Sequence, residues 1–326
     1  MPSTINNKKI LLLAPKFYFY HAEIIKSLES LGAKVTFYPE MEYSLFYRLI
    51  KKISHSTEKL LAERYMRRVL AEVSLNTYDI IFVIRGCALT PLSLKCMHGF
   101  FPNAKFVMYQ WDSMRQNNYR SIIEYFDYVY TFDMVDATEY NLAYLPLFYI
   151  KTFQKVYKKR KIYDLVFHGA YHSDRLEIVK FFYEKCKKGD FNFKSHLYIS
   201  KLALLRLVIS GCISIKDIKF FKTQVISFNE IVESYRKTFA VLDVELSIQD
   251  GLSMRTFEAL GSNLKLVTTN GNIKAESFYS SDRIMVIDRK NLNIDVNFFR
   301  SNIVDSQDFK EFSIDSWVGK VLCLKY

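Results

Sequence analysis

The amino-acid sequence predicts an α/β protein built from two doubly wound domains. Continuous apolar runs alternate with segments in which apolar residues recur at helical spacing, which is the pattern of parallel sheets covered by helices on both faces. A basic stretch, residues 151–161, interrupts this alternation once, and the alternation then resumes. The length of 326 residues also exceeds what one hydrophobic core usually holds. We therefore expect two Rossmann-like domains, residues 1–150 and 151–326, facing a central cleft, with the last helix free to cross back to the first domain.

The first half begins with an apolar run at residues 9–15, the first predicted buried strand. A helix follows, with apolar residues at positions 24, 25, 28 and 31, and Gly32 stops it. Further strands are predicted at residues 34–38, 79–85, 105–111, 128–132 and 145–147. Helices are predicted within residues 43–73, at 92–98 and at 121–126. Strands that alternate with helices in this way indicate right-handed crossovers within one parallel sheet.

The second half predicts a similar series. Strands are expected at residues 163–168, 196–199, 224–227, 238–243, 264–268 and 284–287. Helices are expected at 174–186, at 229–235 with Ser227 or Asn229 as the cap, and at 254–260, where Gly261 ends the helix. The apolar segment 202–215 carries Arg206 and is flanked by lysines, so we expect a buried helix followed by a strand rather than a membrane span.

Composition narrows the classes of function. Half of the residues are hydrophobic and a quarter are charged, as in ordinary soluble proteins. The five cysteines are scattered without metal-ligand spacing, which favours reduced thiols in the cytoplasm over disulfides or a zinc site. A formal charge of +12 suits a negatively charged partner such as anionic lipid, nucleic acid or a phosphorylated substrate. Because the basic residues are spread along the chain and form no recognised nucleic-acid module, we expect no nucleic-acid partner. The expected protein is cytoplasmic, either soluble or peripheral to a membrane.

The segment 241–261 carries the most informative functional pattern. It combines a predicted strand, a polar turn that contains Gly251, and a helix that begins near Ser253. Backbone N–H groups at such a helix start bind phosphate readily. Arg255 can add a forked contact to a diphosphate, and Glu258, about one turn later, can accept hydrogen bonds from ribose hydroxyls. A capped, salt-bridged helix without a ligand explains the same pattern.

A second pattern is the strand end and turn at residues 166–175. Gly169 and Arg175 lie at the first strand–helix turn of the second domain, and an ordinary tight turn explains them at least as well as a binding site. His168 and His172 are four residues apart, but no third ligand is near them in the sequence. We therefore predict no metal site here.

In the first half, polar residues follow the predicted strands, at the sheet edge where ligands of such folds bind. A general base that takes a proton from a hydroxyl group must be an imidazole or a carboxylate close to the reacting oxygen. Asp112 and His21 are the candidates. A helix cap for Asp112 and a surface imidazole for His21 are equally good explanations.

Residues 43–68 combine apolar positions with basic side chains, among them Arg48, Lys51 and Lys52. An apolar stripe beside a basic face suits a helix that lies on an anionic membrane surface. A domain helix with a solvated basic face explains the segment equally well.

The segment 241–261 resembles the nucleotide-sugar site of GT-B glycosyltransferases. Asp250 and Glu258 have the spacing of the two acidic residues that open and close the motif in retaining families, and Gly251 follows the first acid. The motif closes as Glu-Ala-Leu-Gly in place of the usual Glu-Ala-small sequence. Many retaining enzymes have glutamate where this chain has Asp250, which leaves the stereochemical outcome open.

A wider resemblance covers most of the chain. Residues 109–113, 265–270 and 284–289 are similar to CgeB-related proteins of capsule and lipopolysaccharide gene clusters. The resemblance implies a GT-B glycosyltransferase of bacterial surface polysaccharide synthesis that needs no metal or cofactor. Its donor would be a nucleotide-sugar of the nucleoside diphosphate class, and its acceptor a glycan or lipid-linked glycan. A nucleotide-sugar epimerase of the same architecture and a catalytically inactive binding protein are the alternatives.

The resemblance also implies roles for single residues. Gly169 would let the backbone approach the donor diphosphate, and Arg175 would neutralise its charge. The predicted donor-binding residues are Gly169, Arg175, Ser227, Gly251, Ser253, Met254, Arg255 and Glu258. The predicted catalytic residues are Asp112, His21 and Asp250.

Overall fold

The structure is a computed structural model, and it describes residues 5–42, 55–154, 160–187, 189, 191–304 and 307–322. The chain divides into two compact units, Met1–Leu147 with Ile314–Tyr326, and Phe148–Ser313. The internal border follows residue 147, whereas the sequence-based border follows residue 150. In the described part of the chain, no helix is both long enough and apolar enough to cross a bilayer.

The first unit contains a parallel sheet of six described strands in the order β2-β1-β3-β4-β5-β6. The strands are β1 Lys9–Ala14, β2 Lys34–Pro39, β3 Ile80–Ile84, β4 Lys105–Gln110, β5 Tyr128–Thr131 and β6 Ala143–Tyr144. The helices between them are α1 Tyr20–Ser30, α2 His55–Val73, α3 Pro91–Phe100 and α4 Met134–Glu139. Every residue of β3 and all but the first residue of β1 are buried, because these central strands are covered on both faces.

Two predictions for this unit were inaccurate. The strand predicted at 145–147 lies two residues earlier, as β6. The N–H of Leu145 still donates to the carbonyl of Thr131 at 2.9 Å, but Pro146 has no N–H with which to continue the ladder. The helix predicted at 121–126 is a 3-10 helix, Arg120–Tyr125. In the proposed membrane segment 43–68, residues 43–54 lie outside the described residues, and residues 55–68 belong to α2.

The second unit contains another parallel sheet of six described strands, in the order β12-β11-β10-β7-β8-β9. The strands are β7 Tyr163–Ala170, β8 Phe193–Tyr198, β9 Phe221–Lys222, β10 Thr238–Asp243, β11 Lys265–Thr268 and β12 Ile284–Val286. The helices are α5 Arg175–Lys187, α6 Lys201–Ile209, α7 Phe228–Arg236, α8 Met254–Gly261 and α9 Asn297–Arg300. Because β7 and β10 are neighbours, their carboxyl ends bring two strand–helix turns together.

The strand predicted at 224–227 is wrong. The edge strand is β9, and the residues between it and α7 form no strand. Val225 is exposed, and Ser227 is the N-cap of α7. An edge strand needs hydrogen bonds on one side only, and β9 makes them with β8 over two residues.

At residues 202–215 the predicted helix is present as α6, but its predicted burial and the predicted strand after it are wrong. None of the residues of α6 is fully buried, and the residues after it form a turn in which Gly211 has a φ of +75°. Only Ile213 of that turn enters the core. Apolar residues lie on both the exposed and the packed side of the helix, so its composition could not show which face is buried.

Gly261 does not stop α8 but lies inside it. A Cβ at this position would overlap the ring of Tyr149, so close packing explains the glycine. The helix ends where Asn263 adopts a left-handed φ of +53°.

The last described helix, α10 Ile314–Leu322, belongs to the first unit. Trp317 lies against Tyr109 in an edge-on arrangement with ring centres 4.7 Å apart, and Asp315 accepts a hydrogen bond from Ser27 at 2.6 Å. The helix thereby covers part of the face of the first sheet.

Candidate functional site

A buried carboxylate, Asp243, ends β10 and joins it to the start of α8. Its side chain is 1% exposed. Ser253, the N-cap of α8, donates its hydroxyl to Oδ2 at 2.6 Å, and Nη1 of Arg255 donates to Oδ1 at 2.9 Å. The hydroxyl of Thr256 adds a longer bond of 3.3 Å. Since a buried carboxylate is stable only when its oxygens are paired, Asp243 holds the first turn of α8 against the end of β10.

Arg255 also ties this helix to β7. Its Nη2 donates to the carbonyl oxygen of His168 at 2.6 Å, and the guanidinium lies 5.8 Å from the centre of the Phe167 ring. Burial opposes the charge, but Asp243 favours it, and the pKa of Arg255 is raised above its usual value. The side chain is 20% exposed. Two of its donors are therefore committed to the protein, and only the exposed edge is open to a ligand.

Arg175, at the start of α5, is a buried cation whose hydrogen bonds go to carbonyl oxygens. Nε donates to Val244 at 2.8 Å, Nη2 donates to the same oxygen, and Nη1 donates to Ala170 at 2.7 Å. Burial, and then the neighbouring Arg255, lower its pKa to about 9, so it remains charged at neutral pH. A Cβ on Gly169 would lie 2.8 Å from Nη1 of Arg175. The glycine thus makes room for this guanidinium, and its contact with a diphosphate stays a prediction.

Arg289 is a third guanidinium at these strand ends. In the sequence it lies in the stretch 284–289, for which no role in binding was predicted. It donates to Asp174 at 2.5 Å and to both the carboxylate and the carbonyl of Glu245 at 2.7 Å. Thr269 donates to the other carboxylate oxygen of Glu245 at 2.9 Å. Burial and the nearby Asp243 raise the pKa of Glu245.

We call these six side chains the arginine–carboxylate cluster: Arg175, Arg255, Arg289, Asp174, Asp243 and Glu245. With all six ionised, the cluster is formally neutral. Sequence reasoning missed its carboxylates, although one signal was present. Asp243 and Glu245 stand at the end of a strongly apolar run, where charged residues are rarely buried unless they are paired.

The two acids of the predicted motif lie in different surroundings. The backbone carbonyl of Asp250 accepts hydrogen bonds from the side-chain amides of Asn270 and Asn272, each at 3.1 Å, which fastens the loop before α8. Glu258 is buried and accepts a hydrogen bond from the hydroxyl of Tyr235 at 3.2 Å. Glu258 therefore contributes a bond between α8 and α7 whatever else it binds.

Ser227 has a structural explanation. It forms a capping box with Glu230, in which the Ser227 amide donates to the carboxylate at 2.9 Å and the Glu230 amide donates to the hydroxyl at 3.3 Å. Gly169, Arg175, Ser253 and Arg255 thus lie around the ends of β7 and β10, whereas the hydrogen bonds between Ser227 and Glu230 cap the start of α7. Its part in donor binding stays a prediction.

His168 is buried beneath this cluster. Nε2 lies 2.6 Å from the hydroxyl oxygen of Ser234, which itself donates to the carbonyl of Ile231 at 2.7 Å, so the imidazole is assigned as the donor through Nε2. Burial, and to a smaller extent the charge of Arg255, lowers the pKa of His168 to about 3. His168 is therefore neutral at physiological pH. In the described residues, no group of three or more histidine, cysteine, aspartate or glutamate side chains is placed to hold a metal ion.

In the first unit, Asp112 follows β4 and lies 3.7 Å from Nη1 of Arg85. The closer partner of Arg85 is the fully buried Glu40, whose Oε1 accepts from Nε at 2.6 Å. Burial raises the pKa of Asp112 despite the nearby guanidinium, so its carboxylate is more basic than usual. The ring of His21 stacks on Phe37 at 5.3 Å, and burial followed by the charge of Lys16 lowers its pKa. The raised pKa makes the Asp112 carboxylate a stronger proton acceptor, and the lowered pKa favours the neutral imidazole of His21, which is the form that can act as a base.

Comparison with known proteins yields matches in structure only. No family model matches this chain, and no curated protein is similar to it in sequence. The catalytic domain of starch synthase IV from Arabidopsis thaliana, bound to ADP and acarbose, is similar with a TM-score of 0.59 and 8% identity, covering 98% of this chain and 96% of that chain. A glycosyltransferase from Rickettsia africae ESF-5 has a TM-score of 0.56 and 12% identity, with coverage of 88% and 85%.

The chain has the GT-B fold. A third similar structure, the S. aureus MnaA–UDP co-structure, has a TM-score of 0.50 and 11% identity and covers 96% of this chain and 91% of that chain. The GT-B fold predicted from the sequence is therefore confirmed. At these identities the likeness concerns the fold and leaves the reaction to the residues of the site.

Replacing Arg255 with alanine should lower the free energy of unfolding by about 3–5 kcal/mol, because the variant leaves the buried Asp243 without its cation. Urea unfolding of the full chain, followed by circular dichroism, measures this. Adding Asp243→Asn should recover part of the loss. Lys187→Ala, which breaks an exposed pair with Glu184, should cost less than about 1 kcal/mol. A loss from Arg255→Ala no larger than that of the control would show that the bridge does not stabilise the unit.

His168 predicts a specific loss of stability in acid. Its folded pKa of about 3 lies below the unfolded value of 6.5, so its contribution is complete above pH 6.5 and is lost as the pH falls toward 3. At pH 5 the loss is about 2 kcal/mol. His168→Gln should remove that part of the slope of unfolding free energy against pH, measured by urea titration. Identical slopes for wild type and His168→Gln would contradict the assignment.

Proposed function

We propose that the protein is a glycosyltransferase that takes a sugar from a nucleoside diphosphate donor at the carboxyl ends of β7 and β10. The observation that carries the proposal is the fastening of the α8 N-terminus to Asp243, which aims its first turn at a cluster of guanidinium groups in a GT-B fold. The structures with bound ADP and UDP among its structural neighbours support a nucleotide as the donor's carrier.

The diphosphate would be held by backbone amides and by arginine. The amides of Ser253 and Met254 stand at the N-cap and first position of α8, where no intrahelical acceptor exists, and the helix dipole favours an anion there. The exposed edges of Arg255 and Arg289, together with the buried charge of Arg175, add positive potential. The carbonyl of Gly251, in the loop before α8, accepts hydrogen bonds from the side-chain amides of Gln249 at 2.9 Å and Asn270 at 3.3 Å. These groups supply the charge that a metal would otherwise bring, so we propose transfer without a metal or cofactor.

The ribose would bind beside Glu258. This carboxylate lies about one helical turn beyond Met254, and its position on the same helix suits a ligand whose phosphates occupy the N-terminus. Because it already accepts a bond from Tyr235, Glu258 is held in a fixed orientation before the donor arrives. Such preorganisation strengthens binding since less side-chain entropy is lost.

Reaction at the anomeric carbon would pass through an oxocarbenium-like state while the nucleotide departs. The exposed guanidinium edges of Arg255 and Arg289 would stabilise the leaving diphosphate. Asp112 or His21 would accept the proton of the acceptor hydroxyl, and Asp250 would act on the donor side. The proposed acceptor is a glycan or lipid-linked glycan of bacterial capsule or lipopolysaccharide synthesis, handled in the cytoplasm.

Assays of the products separate this function from its alternatives. A transferase should slowly hydrolyse its donor when the acceptor is absent. Interconversion of free nucleotide-sugars would indicate an epimerase instead, and donor binding with neither reaction would indicate an inactive binding protein.

Glu258→Ala should weaken the binding of the cognate nucleoside diphosphate at least about tenfold, because charge-assisted hydrogen bonds to ribose are worth about 1.5–3 kcal/mol each. Isothermal titration calorimetry of the full chain with a panel of nucleoside diphosphates measures this. The matched control is Tyr235→Phe, which removes the hydroxyl bound to Glu258 but leaves the carboxylate in place. If Glu258→Ala keeps its affinity within about twofold of wild type, the residue is structural and the proposed ribose site is misplaced.

A further inference from the structure

Helix α6 exposes an apolar stripe on the second unit. Leu202, Leu205 and Ile209 are 59%, 55% and 77% exposed. The opposite side of the helix, through Ala203, Leu204, Leu207 and Val208, packs against the core of the unit. The exposed side chains therefore take no part in the core that stabilises the unit.

The stripe is narrow and has a cation on each side. At about 100° per residue, Leu202, Leu205 and Ile209 fall within an arc of about 60°, and Lys201 and Arg206 lie about 40° beyond its two borders. Both cations are exposed. Long basic side chains beside an apolar stripe can keep their charges in water while the stripe enters an apolar phase.

The chain after α6 adds more positive charge. The 3-10 helix Ile215–Phe220 carries the exposed Lys216 and Lys219, and Lys222 follows on β9. Among residues 191–229 the only acid is Asp217, and it already lies 3.5 Å from Lys180 of α5. Within the described part of the chain, none of the five cations from Lys201 to Lys222 has a carboxylate partner.

We propose that this surface, α6 with the following turn and 3-10 helix, docks on an anionic phospholipid membrane. Ile215, which is 74% exposed, extends the apolar part beyond the helix. Unpaired cations around exposed leucine and isoleucine match a surface that is negative at its headgroups and apolar beneath them. The surface consists of other residues than the predicted segment 43–68, and the inference does not depend on the proposed transferase activity.

Two other occupants fit the same observations less well. A second copy of the chain, packed about a twofold axis, would bring the same unpaired cations face to face. A nucleic acid would be drawn to the charge but would gain nothing from an exposed aliphatic stripe. The combination of both features favours lipid.

Flotation of the full-length protein with vesicles tests the proposal. Binding should be strong to equal parts of phosphatidylglycerol and phosphatidylcholine, weak to phosphatidylcholine alone, and reduced by salt. Lys201→Gln with Arg206→Gln should lower the partition coefficient about 25-fold, at about fivefold for each cation removed. Leu202→Ser with Leu205→Ser and Ile209→Ser should lower it at least about tenfold.

Matched controls use exposed residues of the same unit. Lys274→Gln with Lys290→Gln removes two other exposed cations, and Val304→Ser removes a side chain that is 84% exposed. Both controls should bind vesicles like the wild type. All of these variants alter exposed side chains, so they should keep the circular dichroism spectrum and the nucleotide affinity of the wild type.

Three outcomes would overturn the proposal. Equal binding to neutral and anionic vesicles would remove its electrostatic part, and undiminished binding by the α6 variants would place the lipid contact elsewhere. A concentration-dependent dimer in light scattering that the serine variant abolishes, in a protein that ignores vesicles, would assign the stripe to a second copy.

Discussion

The second unit depends on the pairing of Asp243 with Arg255. One carboxylate and one guanidinium, both largely withdrawn from water, connect the end of β10, the first turn of α8 and the end of β7. Each charge would be costly to bury alone, so the three elements are stable only together. This requirement leaves the helix start, with its unpaired amides, at the carboxyl edge of the sheet.

The same pairing limits what the arginines can do for a ligand. Arg175 gives its hydrogen bonds to carbonyl oxygens, and Arg289 is divided between Asp174 and Glu245. An incoming diphosphate would meet preorganised positive potential rather than free side chains that must be ordered. Preorganised charge of this kind costs little reorganisation when a leaving group becomes negative.

Much of the fold could be predicted from the sequence, because buried parallel strands are continuous apolar runs, as β1, β3 and β10 show. The short edge strand β9 and the exposure of α6 could not be predicted, since the spacing of apolar residues does not show whether they lie at the surface or in the core. At the site, the positions of Ser253 and Arg255 followed from the strand–turn–helix pattern. Their partner Asp243 did not, because its place at the end of an apolar run indicates a paired charge but not the residue with which it pairs.

The central claim is that the carboxyl ends of β7 and β10 bind a nucleoside diphosphate. Hydrogen–deuterium exchange of the full chain, with and without each common nucleoside diphosphate at saturation, tests this most directly. The account predicts that one nucleotide slows exchange in residues 169–175 and 251–258, where amides would bind phosphate or become shielded. Slower exchange confined to the first unit, or no change in these two segments with a nucleotide that demonstrably binds, would contradict it.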